Sequence, residues 1–237
     1  MKIGVVIFPD SNSDVDSLNA LAVAGVEPVR LWHESPDLGG VSAVILPGGF
    51  SYGDYLRAGV IARFSPVMRG VSEFAAKGGP VLGICNGFQV LAEARLVPGA
   101  LLRNRSLRFA GKLVKIKPEH LNSPFTRSGS GAVMRIPVAH GEGCYYLDDA
   151  GLDELEREGQ VLWRYVRDDG KPALDPDDPA NPNGSLRAIA GVCNKAGNVA
   201  GLMPHPERMS EMALGGDDGM QIIRSLVDSA AAWETAR

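Results

Sequence analysis

The chain has 237 residues, of which 45% are hydrophobic and 22% charged, and a net charge of −4. This composition is typical of a globular protein with its own core, and the lack of a basic surplus disfavours a nucleic-acid partner. Three cysteines are too few for a disulfide framework, and no apolar run approaches the roughly 20 residues that span a membrane. We therefore expect a reducing, cytoplasmic location and no membrane contact.

The first part of the chain alternates short apolar runs with amphipathic segments. Continuous apolar runs predict strands at residues 3–8, 26–32, 41–46 and 80–84. Apolar residues at helical spacing predict helices at residues 13–22, 67–76 and 87–94. Because the strands are apolar on both sides and alternate with helices, we expect a parallel sheet that is covered on both faces.

The second part of the chain is less regular. Shorter strands are predicted at residues 112–117, 132–139, 161–166, 187–194 and 198–202, and a closing helix at residues 219–232. The segment 168–185 is rich in Asp and Pro and predicts a loop. Since the candidate site draws on both ends of the chain, we predict one α/β domain over residues 1–237, with a largely parallel sheet flanked by helices on both faces.

Cys85 lies in the sequence Gly83-Ile84-Cys85-Asn86-Gly87, directly after an apolar strand and at the start of a helix. This is the spacing of a nucleophile elbow, in which a sharp turn exposes the nucleophile at the edge of the sheet. The helix N-terminus would favour a thiolate, and the N–H of Asn86 could receive an oxyanion. The alternative is that Cys85 is a small buried apolar residue. Cys144 and Cys193 have no such setting, and we expect them to be structural.

A thiol nucleophile needs a base, and His205 is the best candidate. Prolines flank His205 on both sides, and Glu207 follows two residues later, where an extended backbone points it to the same side. Glu207 could thus orient the imidazole, as the third member of a triad does. His140 is the rival base, because it ends a predicted strand before a glycine-rich turn.

A second glycine-rich turn follows the third predicted strand, at Pro47-Gly48-Gly49. In a parallel sheet this turn lies at the same edge as Cys85, so one of its N–H groups could complete an oxyanion hole. The chain contains no metal-ligand spacing of His or Cys, and we predict no metal site. It also has no phosphate-binding loop of the G-x-x-x-x-G-K-[ST] type, so we expect no ATP site on this chain.

These motifs together resemble a known enzyme family. Three motifs resemble class I (triad-type) glutamine amidotransferases: the glycine-rich turn at residues 47–49, the elbow with Phe88 and Gln89, and the His-Pro-Glu segment at residues 205–207. Longer strings resemble the branch of glutaminase subunits of phosphoribosylformylglycinamidine synthases: residues 48–59, 139–143, 181–185 and 203–208. The resemblance covers residues 3 to about 225. It departs at Asp10 and Ser13, where this branch usually has glycine and cysteine.

The resemblance implies a role for each matching position. Cys85 would be the nucleophile, His205 the base and Glu207 its orienting group. The N–H groups of Gly49 and Asn86 would form the oxyanion hole. The remaining expected positions, which would contact the bound glutamine, are Gln89, His140 and Gly141.

The resemblance also implies a divided enzyme of purine synthesis. This chain would hydrolyse L-glutamine and pass ammonia to a large ATP-dependent synthetase subunit, which would hold ATP and Mg²⁺, with a small third subunit in some organisms. We expect no cofactor on this chain. Two alternatives stay open: an amidotransferase with another acceptor, namely carbamoyl phosphate, GMP, CTP or anthranilate synthesis, and a non-glutaminase protein of the elbow-cysteine α/β fold. Asn86 and residues 51–57 disfavour the first alternative, and residues 205–207 disfavour the second.

Overall fold

The computed structural model describes residues 1–236; the predicted domain also includes Arg237, which lies outside the described residues. Within residues 1–236, no helix has both the length and the apolar character needed to cross a membrane. The strands are β1 (Lys2–Ile7), β2 (Glu27–Trp32), β3 (Ala43–Leu46), β4 (Val81–Ile84), β5 (Ala100–Leu102), β6 (Ala110–Pro118), β7 (Met134–His140), β8 (Cys144–Tyr146), β9 (Val161–Tyr165), β10 (Ile189–Cys193) and β11 (Val199–Leu202). The helices are α1 (Asp14–Val23), α2 (Pro66–Ala76), α3 (Asn86–Glu93), α4 (Asp149–Arg157) and α5 (Met220–Ala236).

In the described chain, nine strands form one sheet in the order β2-β1-β3-β4-β11-β10-β9-β6-β7. Pairing is parallel from β2 through β11 and antiparallel from β11 through β7. The late strand β11 lies directly beside β4, with Leu202 opposite Ile84. The sheet therefore brings two distant parts of the chain to one edge.

The centre of the sheet is buried on both faces. Every residue of β3, β4, β10 and β11 is buried, which requires covering layers above and below. Helix α3 packs on β3, β4 and β11, whereas α1 and α5 contact each other and pack on the parallel strands. These contacts confirm the predicted α/β fold.

Every predicted helix and strand is present, with ends shifted by a few residues. The prediction missed β5, β8 and α4. Strands β5 and β8 have three residues each and pair with each other outside the main sheet. Helix α4 is mostly polar and buries Leu152 and Leu155, so its apolar stripe is narrow; Asp148 caps it by accepting a hydrogen bond from the N–H of Gly151 at 2.8 Å.

The segment 168–185 contains no helix or strand, as predicted, but it is tied to the body of the protein. Its acidic residues pair with arginines: Asp177 with Arg105, and Asp178 with Arg167. Its far end is fixed by buried Asn181, whose side chain accepts hydrogen bonds from the N–H groups of residues 184 and 185 at 3.1 Å each. The loop is therefore an ordered part of the fold.

The buried side chain of Asn198 gives a test of this architecture. Its Nδ2 donates to the carbonyl oxygens of Ala75 at 2.8 Å and Gly79 at 2.9 Å, which joins the β10–β11 turn to the end of α2. Asn198→Ala should lower the free energy of unfolding by about 2 kcal/mol, because it removes two buried hydrogen bonds and leaves the carbonyl of Gly79 without this donor. Urea unfolding measures this, with the exposed neighbour change Lys195→Ala as the control. Equal unfolding midpoints for the two variants would contradict the assigned role of Asn198.

Candidate active site

Cys85 forms the turn between β4 and α3 with an unusual backbone conformation. Its φ and ψ are +50° and −105°, a strained combination for a residue with a side chain. Its N–H donates to the carbonyl of Leu202 at 2.8 Å, so the pairing of β4 with β11 continues into the turn. The backbone matches the predicted nucleophile elbow. The expected exposure is not found: Cys85 is 4% exposed, because the polar loops around the elbow cover it.

Gly87 is required because α3 starts very close to the sheet. A Cβ at Gly87 would overlap the carbonyl oxygen of Leu46, at the end of β3. Helix α3 can therefore approach the edge of the sheet only with glycine in its first turn. This approach places the N-terminus of α3, the positive end of its dipole, directly after Cys85.

Asn86 is the first residue of α3, so its N–H belongs to the first turn, whose donors have no acceptor inside the helix. This is the donor predicted for the oxyanion hole. Its position beside Cys85 follows directly from the elbow.

His205 and Glu207 form a buried pair directly after β11. Nδ1 of His205 lies 2.6 Å from Oε1 of Glu207, and the two residues are 2% and 1% exposed. The N–H of His205 donates to the carbonyl of Pro137 at 2.8 Å, which fixes the backbone. Within residues 1–236, Nε2 of His205 has no hydrogen bond of ordinary geometry, which leaves this nitrogen for chemistry.

Cys85 and Glu207 both act on the charge of His205. Burial of the imidazole lowers its pKa, but the charge of Glu207, together with the charge and hydrogen bonding of Cys85, outweighs burial and raises the pKa of His205 to about 10. A protonated imidazole is therefore the favoured form near neutral pH. The predicted triad of Cys85, His205 and Glu207 is brought together in this structure.

Gly49 is fixed by an antiparallel bridge to Ser11. The bridge uses the N–H groups of Asn12 and Phe50, so the N–H of Gly49 is not one of its donors. With φ at +148°, a Cβ at Gly49 would lie 2.8 Å from Cα of Ser11. The preceding residue, Gly48, lies against the His205 ring: a Cβ there would be 2.6 Å from Cε1 of His205. The turn thus borders the triad, as predicted.

The side chain of Gln89 is buried, and both ends of its amide are hydrogen-bonded. Its Oε1 accepts a hydrogen bond from Nδ2 of Asn86 at 2.9 Å, and its Nε2 donates to the carbonyl of Glu142 at 2.6 Å. Gln89 therefore connects the elbow to the turn that contains Gly141. The carbonyl of Gly141 itself accepts a hydrogen bond from the N–H of Asn104 at 2.9 Å.

His140 is buried among amide groups. Its Nδ1 lies 3.1 Å from Oδ1 of Asn104, and its Nε2 lies 3.4 Å from Nδ2 of Asn183. Burial, and then the nearby charge of His205, lowers the pKa of His140 to about 4. His140 is thus neutral near pH 7, and its ring partners are amides instead of a carboxylate. The geometry favours His205 over His140 as the base.

Several polar residues around the site were not assigned a role from the sequence. Asn183 donates to the hydroxyl of Tyr165 at 3.1 Å and belongs to the 181–185 string. Asp54, in the 48–59 string, accepts a hydrogen bond from Asn86. Both residues lie inside sequence strings that carry the family resemblance. Their place in these strings is the one feature of the sequence that could have pointed to them. Burial raises the thiol pKa of Cys144 and Cys193, the opposite of what a nucleophile needs.

Comparison with known proteins agrees with this geometry. Residues 1–215 match the model of the CobB/CobQ-like glutamine amidotransferase domain. The phosphoribosylformylglycinamidine synthase subunit PurQ of Rubrobacter xylanophilus is 53% identical over 97% of this chain and 99% of the relative. The PurQ subunit of Gloeobacter violaceus is also 53% identical, over 98% and 99% of the two chains.

Comparison with solved structures gives one relative of substantial identity and one that shares only the fold. A chain in the structure of PurLQS from Thermotoga maritima is 41% identical, with a TM-score of 0.83, and covers 96% of this chain and 97% of that one. A putative GMP synthase subunit of Thermoplasma acidophilum, 17% identical with a TM-score of 0.66 and coverage of 100% and 96%, shares the fold. The chain therefore belongs to the glutamine amidotransferase family and, within it, to the PurQ subunits of phosphoribosylformylglycinamidine synthase.

Proposed function

We propose that this chain hydrolyses L-glutamine at Cys85 and supplies the ammonia that phosphoribosylformylglycinamidine synthase adds to formylglycinamide ribonucleotide. The observation that carries the proposal is the elbow cysteine beside the buried His205–Glu207 pair. The many relatives named for this one synthase favour its acceptor over carbamoyl phosphate, GMP, CTP or anthranilate synthesis.

The chemistry follows from the protonation state of the triad. The thiolate of Cys85 attacks the side-chain amide carbon of glutamine and forms a C–S bond. The C–N bond then breaks, and protonated His205 gives its proton to the leaving nitrogen, which departs as ammonia. Neutral His205 next takes a proton from water, and the resulting hydroxide attacks the thioester. Glutamate leaves and the thiolate is restored beside protonated His205.

The oxyanion of each tetrahedral intermediate would be bound by the N–H groups of Gly49 and Asn86. Both groups lie on rigid elements, one on a bridged turn and the other at a helix start, so they need little rearrangement during the reaction. We further propose that Gln89, His140 and Gly141 contact the bound glutamine. His140 is neutral near pH 7, so its ring would add no charge beside the bound glutamine.

The ammonia would pass to a partner. The solved relative is a chain of the PurLQS structure, and we propose that this chain likewise assembles with a large synthetase subunit and a small third subunit. ATP and Mg²⁺ would bind to the large subunit, with no cofactor on this chain. Direct transfer is useful because ammonia that becomes protonated in bulk water is no longer a nucleophile. We further propose a cytoplasmic location and one amidotransferase domain for residues 1–237.

Loss of the nucleophile should separate the two half-reactions. Cys85→Ala should abolish glutamine-dependent synthesis by the complex, because no thioester can form, and should spare synthesis from added ammonium salt. Product formation with each nitrogen source measures this. Cys144→Ser is the control, since Cys144 has no role in the proposed chemistry. Loss of both activities in Cys85→Ala would contradict the proposed division of labour.

Removal of the charge at residue 207 should weaken the base. Glu207→Gln keeps the shape but removes the charge that raises the pKa of His205, so this pKa should fall. The glutaminase kcat should drop on the order of 10²- to 10⁴-fold, and His205→Asn should be more severe. Imidazole chemical shifts against pH and steady-state kinetics measure both effects. Glu211→Gln is the matched control, because it makes the same chemical change at a nearby glutamate. An unchanged His205 titration in Glu207→Gln would refute the orienting role of Glu207.

Displacement of the turn should damage the oxyanion hole. Gly49→Ala places a Cβ 2.8 Å from the Ser11 backbone, so the Gly49 N–H must move. The kcat for glutamine should fall on the order of 10²-fold, while alkylation of Cys85 by iodoacetamide, which forms no oxyanion, should continue at the wild-type rate. Gly40→Ala is the control, because Gly40 also has positive φ but no atom near its Cβ position. Wild-type turnover in Gly49→Ala would exclude Gly49 from the hole.

A further inference from the structure

The buried side chain of Asn86 links the two loops of the proposed oxyanion hole. Its Oδ1 accepts a hydrogen bond from the N–H of Ser51 at 3.1 Å, two residues after Gly49. Its Nδ2 donates to Oδ1 of Asp54 at 3.0 Å and to Gln89 at 2.9 Å. The oxygen and nitrogen of this amide are therefore both engaged, and two of the three partners lie on the loop that follows Gly49.

The loop that carries Asp54 is conformationally strained. Tyr52, Asp54 and Leu56 all have positive φ, at 54°, 50° and 71°. Such a run of left-handed residues persists only where other contacts hold it. Asn86 supplies two of these contacts. A third comes from Gly59, whose backbone hydrogen-bonds to Asp54 and which lies so close to α3 that a Cβ there would be 2.7 Å from the N atom of Val90.

We propose that Asp54 is a positioning residue for the oxyanion hole: through the side chain of Asn86, its carboxylate holds the N–H of Asn86 and the turn at Gly49 in register across the sulfur of Cys85. This inference rests on the proposed glutaminase function and adds to it a residue that touches neither the substrate nor the triad. The carboxylate form makes the stronger hydrogen bond to the amide, because charge-assisted bonds are stronger than neutral ones.

The surroundings of Asp54 make its charge sensitive to pH. Burial, with a smaller contribution from the charge of Glu142, raises the pKa of Asp54 to about 6, against the lowering effect of hydrogen bonds from Asn86 and Gly59. The neighbouring charges are paired: Arg57 binds Glu93 of α3 at 2.6 Å, and Arg103 lies 3.7 Å from Glu142.

The direction of the pH effect follows from this pKa. Above pH 6 Asp54 is a carboxylate and holds the amide firmly; below pH 6 it becomes a neutral acid and holds it weakly. The pKa of His205 is raised and that of His140 is lowered, so both are shifted away from this interval. His33 also contacts this loop, with Nδ1 2.8 Å from the hydroxyl of Tyr52, and Asp54→Asn leaves it in place, so this variant separates the two groups. The glutaminase kcat should therefore fall as the pH drops through about 6.

The test uses Asp54→Ala and Asp54→Asn in the chain assembled with its synthetase partner. Asp54→Ala should lower the glutaminase kcat on the order of 10- to 100-fold with little change in KM, because the hole is misplaced while glutamine still binds. Asp54→Asn keeps an acceptor for Asn86, so its kcat should be higher than that of Asp54→Ala. The decrease of kcat below about pH 6 should be absent in Asp54→Asn. Asp168→Asn, which changes an exposed carboxylate on another loop, is the control.

Iodoacetamide provides the second readout. Alkylation of Cys85, followed by mass spectrometry, should proceed at the wild-type rate in both Asp54 variants, because this reaction needs no oxyanion hole. An equal loss of alkylation and turnover would show that Asp54 supports the elbow instead, and would overturn the inference. A wild-type kcat in Asp54→Ala would also overturn it. So would a decrease of kcat below about pH 6 that persists in Asp54→Asn. If the wild-type complex releases no glutamate, the proposed function itself fails, whatever the variants do.

Discussion

The parallel pairing of β4 with β11 is the constraint on which the site depends. Both strands are fully buried, so their register is set by the packing of every side chain on both faces. The register puts Leu202 opposite Ile84, and the hydrogen bond from the Cys85 N–H to Leu202 extends it by one residue. A shift of this pairing by one residue would separate the nucleophile from the His205–Glu207 pair while leaving the composition of the core unchanged.

Around this pairing the protein keeps a highly polar site in a buried position. Charges there are stable only when they are compensated, and the pair of His205 and Glu207 supplies its own counter-charge. The remaining groups are held mainly by neutral amides: Asn104 and Asn183 at His140, and Asn86 with Gln89 at the elbow. Amides can donate and accept at once, so they fix several loops without adding further buried charge.

The parallel half of the sheet and the triad could be predicted from sequence for physical reasons. Continuous apolar runs mark strands buried on both faces, and the elbow and the His-Pro-Glu segment place chemistry in a few adjacent residues. Strands β5 and β8 could not be predicted, because three residues carry no period and their pairing is a tertiary event. The role proposed for Asp54 could not be predicted either: the 48–59 string contains Asp54, but the role rests on a hydrogen bond to Asn86, 32 positions away, which no local pattern encodes.

The late position of β11 in the sequence also affects how the protein folds during its synthesis. Until residues 199–202 have been synthesised, β4 has an open edge on its β11 side, and an apolar edge of this kind is a template for association with other chains. The same residues deliver His205 and Glu207. A nascent chain that has not reached residue 207 therefore carries Cys85 without His205 and Glu207, so the proposed release of ammonia cannot begin until β11 and the segment after it have been made and folded.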